Sequence, residues 1–151
     1  MEKEVFQKSE CSGNNKFSYV HKVQYYETDQ MKIVHHSNYI RWFEECRVAW
    51  MQEAQIPCHE LEKQGIIIPV VDVSCKYKNM THFGEEVEII PTIEKFNGVV
   101  IEFSYEVYGK NSGELKVTGS SSHCFLDEEY KVMSLKKKHP EVYQKILEYI
   151  D

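Results

Sequence analysis

Apolar residues return at spacings of three and four along the segment SNYIRWFEECRVAWMQE. Tyr39, Trp42, Phe43, Cys46, Ala49 and Trp50 fall on one face of a helix there, and Arg41, Glu44, Glu45, Gln52 and Glu53 fall largely on the other. Ser37 or Asn38 is suited to cap its start, because a short side-chain oxygen accepts from an N–H two or three residues on. Pro57 closes it. Elsewhere the period is two. Residues 17–26 are rich in β-formers and predict a strand, with a loop over 27–30. Residues 66–77, 86–96, 99–108 and 114–126 are β-branched or alternate, and predict four more. Asn97-Gly98 predicts a type I′ hairpin turn, and Asn111-Ser112-Gly113 another turn. Residues 58–64 predict a short helix stopped by Gly65, and 135–149 a closing helix. The strands after the long helix, joined by tight turns, predict an antiparallel meander. One sheet face and the helix then bury each other in a single two-layer α+β domain over 17–151. Residues 1–16 mix charge with Ser, Gly and Asn and predict a flexible arm.

Composition narrows the class. The chain has 151 residues, 42% hydrophobic and 28% charged, as a soluble globular domain does. The net charge of −6 argues against a nucleic-acid partner, which calls for a basic surface. The longest apolar run, residues 66–71, is far too short for a membrane span. No apolar signal core precedes it, so the expected location is cytoplasmic. Cys11, Cys46, Cys58, Cys75 and Cys124 are odd in number, widely spaced and without a C-x-x-C pair. They are expected to be reduced thiols, mostly packed as small hydrophobes.

The densest polar cluster precedes the long helix: Tyr25, Glu27, Thr28, Asp29, Lys32, His35, His36, Ser37 and Asn38. A helix start exposes unpaired N–H groups and partial positive charge, which favour a developing oxyanion. A carboxylate on the loop just upstream, facing the same spot, is minimal equipment for acyl transfer. The residues alone fit a plainer reading better: Asp29 caps a turn and the two histidines lie on the surface. His21, His82 and His123 have no metal-ligand spacing, so no metal is expected. Lys136-Lys137-Lys138 and the Glu85, Glu86, Glu88 cluster read as solvated faces.

The segment TDQMKIVHHSNYIRWFEECR resembles the signature of the 4-hydroxybenzoyl-CoA thioesterase-like family, which includes the YbgC-type acyl-CoA thioesterases. The matching positions are Tyr25, Thr28-Asp29, Ile33-Val34 and Asn38-Tyr39, followed by Trp42-Phe43, Glu44 and Arg47. CKYKNMTHFGEEVEI resembles the family's next landmark, and the resemblance spans about residues 20–126. It implies a hot-dog fold, a long central helix wrapped by a five-stranded, mainly antiparallel sheet. It implies hydrolysis of an acyl-CoA or acyl carrier protein thioester with no cofactor, coenzyme A being part of the substrate. Asp29 is then nucleophile or general base, and the backbone N–H near His36 polarises the carbonyl. The His36 and Tyr25 side chains share the catalytic site, and Val34 and Asn38 are substrate-binding. A homodimer or homotetramer is implied, with part of the acyl pocket supplied by a second chain. Lys32 departs from the pattern: the family usually has Gly there, in a tight loop that favours positive φ. Met80 stands where many relatives have Pro. A dehydratase on the same fold and a non-catalytic acyl-thioester binding protein are the alternatives.

Overall fold

The computed structural model describes residues 17–150. The arm expected over 1–16, with Cys11, lies outside the described residues. In order, the elements are β1 (Tyr19–Lys22), α1 (Ser37–Glu53), α2 (Cys58–Lys63), β2 (Val70–Tyr77), β3 (Glu86–Phe96), β4 (Val100–Gly109), β5 (Leu115–Cys124), α3 (Leu135–Lys138) and α4 (Pro140–Ile150). All strand pairs are antiparallel, in the order β1-β3-β4-β5-β2.

The aromatic stripe of α1 buries as its spacing predicts. Tyr39, Trp42, Phe43, Cys46 and Trp50 all face the core. The sheet meets them with Val87, Ile89, Phe103, Tyr105, Val107 and Val117. Phe43 stacks on Tyr105 with ring centroids 4.3 Å apart, and Trp50 meets Phe103 edge-on at 5.5 Å. Gly119 makes that approach possible, since a Cβ there would lie 2.5 Å from the Phe43 ring and 2.7 Å from the Ser74 carbonyl. This is the expected hot-dog arrangement. Among the described residues, no helix is long and apolar enough to cross a membrane.

Several expectations are corrected. β2 does not pair with β3; it crosses to the far edge and pairs with β5. The meander is therefore β3-β4-β5. The cause is the connection over 78–85, no tight turn but a path held across the sheet end by the Lys78 and Asn79 N–H groups on the Lys116 carbonyl. β2 also begins late, because Pro69 interrupts the run and Ile67 pairs separately with Leu126. β1 is only four residues long: Tyr25–Glu27 turns into a 3₁₀ helix, since the Glu27 carboxylate folds back onto the Gln24 N–H at 2.8 Å. Asn97-Gly98 does turn the chain, but not as type I′. Gly98 has φ +89° while Asn97 is not left-handed, because its Oδ1 accepts the N–H groups of Val99 and Val100. The closing helix breaks in two at Pro140, which cannot donate and holds His139 out of helical geometry.

Candidate active site

Residues 28–34 form a closed loop ahead of α1. Thr28 pairs with Val34 across it, and the Asp29 N–H donates to the Ile33 carbonyl at 2.9 Å. The Lys32 N–H returns to the Asp29 carbonyl at 2.9 Å, and Asp29 Oδ1 accepts the Met31 N–H at 2.8 Å. Such an Asx turn fixes the carboxylate plane by its own backbone. Oδ2 accepts nothing from the described residues. The reversal is tight enough that Lys32 sits at φ +68°, the conformation the glycine-preferring position calls for.

The helix entrance is tied to the same loop from below. The Glu27 carbonyl accepts the His35 N–H and the Asn38 Nδ2, both at 2.8 Å. Its carboxylate is buried and accepts from Trp42 Nε1 at 2.9 Å, while His21 lies 2.9 Å away. Burial alone would raise that carboxyl; the hydrogen bonds from Gln24, His21 and Trp42, with the charge of His21, outweigh it and hold the group below its ordinary range. His21 reaches Glu45 on α1 at 3.1 Å through its other nitrogen. Glu27 thus joins β1, the Asp29 loop and α1. The helix start differs from expectation: His36 occupies the cap position without a side-chain bond. Ser37 Oγ bonds His35 Nδ1 instead, and the Asn38 amide is taken by the Glu27 carbonyl. The His36 N–H finds no acceptor among the described residues.

The other wall is the 78–85 connection. Val34 N–H donates to the Thr81 carbonyl at 2.9 Å, and the Tyr39 hydroxyl donates to Thr81 Oγ1 at 3.0 Å. Buried Lys116 pins this wall through the Met80 carbonyl at 2.8 Å, Glu114 at 2.9 Å and Glu85 at 3.3 Å. Burial lowers the basicity of its ammonium, but the two carboxylates more than reverse this, so it stays charged. Tyr77, at the end of β2, donates to the His36 carbonyl at 3.0 Å.

Asp29, Val34 and His36 come together in one groove of about 330 Å³, bordered by Tyr39, Tyr77 and Met80. His36 is exposed there, stacked on His35 at 4.1 Å. Tyr25 and Asn38 line an adjoining groove that also reaches Asp29. Tyr25 is 75% exposed and meets Phe83 edge-on at 5.7 Å. The structure therefore sets Asp29 between two groups of predicted residues rather than gathering all five in one place. Sequence reasoning named Glu27 without a task and missed Thr81, Tyr77 and Lys116 as walls. A glutamate one residue before Thr-Asp was the only signal among them. Elsewhere, burial pushes the Cys46 thiol up to about 12, which makes it inert. Among the described residues no three His, Cys, Asp or Glu side chains are grouped to hold a metal.

A sheet wrapped around one long helix, with an aspartate loop at the helix entrance, defines a hot-dog-fold protein. Residues 23–147 match the Thioesterase-like superfamily, and the chain belongs to that family. It is 37% identical over 121 residues to YneP of Bacillus subtilis (strain 168), named as an acyl-CoA thioesterase; the match covers 80% of this chain and 87% of that one. A protein of Aquifex aeolicus (strain VF5) named as an esterase is 31% identical over 126 residues, 83% of this chain and 96% of its own. Among solved structures, the DHNA-CoA thioesterase of Staphylococcus aureus superposes with a TM-score of 0.83 at 29% identity, covering 87% of this chain and 89% of that one.

Proposed function

We propose that this protein is a cytoplasmic hydrolase of acyl thioesters, acting on an acyl-CoA or acyl carrier protein without a cofactor. The observation that carries the reading is the pairing of Asp29 with the entrance of α1. The loop holds one carboxylate oxygen and leaves the other unengaged, beside a groove where the His36 N–H has no described partner. An acyl carbonyl seated there accepts from that N–H as negative charge develops, worth about 10²- to 10³-fold in rate by comparison with other oxyanion donors. Asp29 attacks the carbonyl carbon or orients the water that does. In either route water's oxygen ends on the acyl carbon, the C–S bond breaks, and the thiolate takes a proton. His36 stands in the groove to supply that proton, Val34 packs the acyl group, and Tyr25 and Asn38 flank the carboxylate from the adjoining groove.

The reading includes a second copy of the chain. β2 is an edge strand, with Val70, Val71, Val73 and Tyr77 from 37% to 64% exposed. An apolar edge with unpaired N–H and C=O groups is a template for another strand. Antiparallel pairing of β2 with its copy about a two-fold axis covers it and builds the homodimer, which can pair further into a tetramer. A thiol-release assay over acyl-CoA and acyl carrier protein thioesters tests the function, with turnover expected. Hydration of an enoyl thioester without thiol release favours the dehydratase; tight thioester binding without any turnover favours the binding protein.

A further inference from the structure

A second cavity, of about 350 Å³, lies beneath the later turns of α1. That volume is within the range of small-molecule sites. Its walls are mostly carbon, among them Met51, Ile56, Ile66, Ile68, Ile101 and Phe103. Arg47 and His123 also line it, and they are the two ends of one line of polar groups that runs behind the wall through Tyr105 and Ser121. Arg47 Nη1 donates to the Tyr105 hydroxyl oxygen at 3.1 Å, the Tyr105 hydroxyl lies 2.6 Å from Ser121 Oγ, and Ser121 Oγ lies 2.8 Å from His123 Nε2. Tyr105, Ser121 and His123 are all buried.

The direction of this line follows from proton accounting. Burial first, and then the charge of Arg47, lower His123 to about 4, so the ring is neutral at neutral pH. It donates to the Pro69 carbonyl, which leaves Nε2 as an acceptor. Ser121 must then donate to His123, Tyr105 to Ser121, and Arg47 to Tyr105. Every member is neutral except Arg47. A guanidinium has five N–H donors. Tyr105 takes one, and Ser121 lies at a longer 3.5 Å. Glu44 and Glu62 also line the cavity, yet no described carboxylate lies within 4.0 Å of Arg47. Arg47 is half-buried, so its guanidinium keeps free donors at the rim of an apolar cavity, and its planar fork matches a carboxylate.

We propose that this cavity receives the acyl body of the thioester and that Arg47 grips a carboxylate at its far end, so that carboxylate-ended acyl thioesters are the preferred substrates. The proposal rests on the hydrolase reading and on its β2-paired dimer. In that dimer, with the two-fold axis at the middle of β2 between Val73 and Ser74, Tyr77 stands beside the second copy's Val70. Tyr77 borders the Asp29 groove, and the residues just ahead of Val70 wall the cavity. One subunit's cavity then opens beside the other's carboxylate.

Calorimetry with octanoate and 1-octanol tests the site without any turnover. The wild-type protein is expected to bind octanoate at least ten-fold more tightly than 1-octanol, and Arg47→Met to lose that difference while its circular dichroism stays native. Equal binding of the two ligands by the wild type, or no octanoate binding at all, overturns the proposal and needs no variant. Rates on octanedioyl-CoA and octanoyl-CoA complete the test. A wild-type preference for the first, lowered at least ten-fold in ratio by Arg47→Met, supports it. Turnover of both at equal kcat/KM overturns it and leaves the hydrolase reading standing. If neither is hydrolysed, the wider thiol-release panel decides the hydrolase reading, and the ligand comparison alone decides the Arg47 site.

Discussion

Lys32 carries the cost of holding Asp29. Its φ of +68° closes the loop that presents the carboxylate, and a non-glycine side chain pays about 1 kcal/mol in that region. Glycine relieves this strain but gives back a similar amount through the freedom it adds to the unfolded chain. Lys32→Gly is therefore expected to change stability by less than about 0.5 kcal/mol in urea titrations, the two effects nearly cancelling, whereas Lys32→Val costs more than about 1 kcal/mol. His123 is the second residue with a measurable signature. Its folded pKa of about 4 lies below the ordinary 6.5, so the unfolded chain takes the proton first. Its contribution is complete above pH 6.5 and is lost as pH falls towards 4, up to about 3 kcal/mol in all. Unfolding free energy is expected to drop by about 2 kcal/mol between pH 7.5 and 5. His123→Gln should flatten that slope, and an unchanged slope contradicts the assignment. Asp29, His36 and the odd residue Lys32 were legible in the sequence, because short-range motif spacing carries them. Glu27, Thr81, Lys116 and His123 were not, since a polar residue reads as surface until its distant partners are known.

At the scale of elements, the sequence is most legible where one period dominates. α1 matches its aromatic stripe, and β3 runs over residues 86–96 as its alternation predicts. Pairing partners were illegible. Alternation in β2 says that it is a strand, not that it lies beside β5 instead of β3, and only the Lys116-anchored connection decides this. Helix and sheet meet through Gly119, where the Phe43 ring lies against the backbone. Neither the ring, stacked between α1 and Tyr105, nor the Ser74 carbonyl has room to retreat. Gly119→Ala is expected to destabilise the fold by about 1–3 kcal/mol, the usual cost of overpacking. A thermal midpoint equal to wild type would show that α1 lifts freely from the sheet.

For the whole molecule, β2 and the active site are one question. The strand is exposed along nearly its whole length, and its last residue, Tyr77, also borders the Asp29 groove. The proposed pairing of two copies would complete both the sheet and the site. Val73→Lys places a charge at the middle of that edge, and sedimentation is expected to show the monomer, with thioesterase activity falling in parallel. An unchanged dimer with full activity places the interface elsewhere. The central claim is that the carboxylate before α1 performs the chemistry, and the most direct measurement is thiol release from acyl-CoA by the wild-type protein and by Asp29→Ala. The account predicts turnover by the first and a loss of at least about 10³-fold in kcat by the second, with its oligomeric state and unfolding midpoint unchanged. Full activity in a folded Asp29→Ala protein contradicts it.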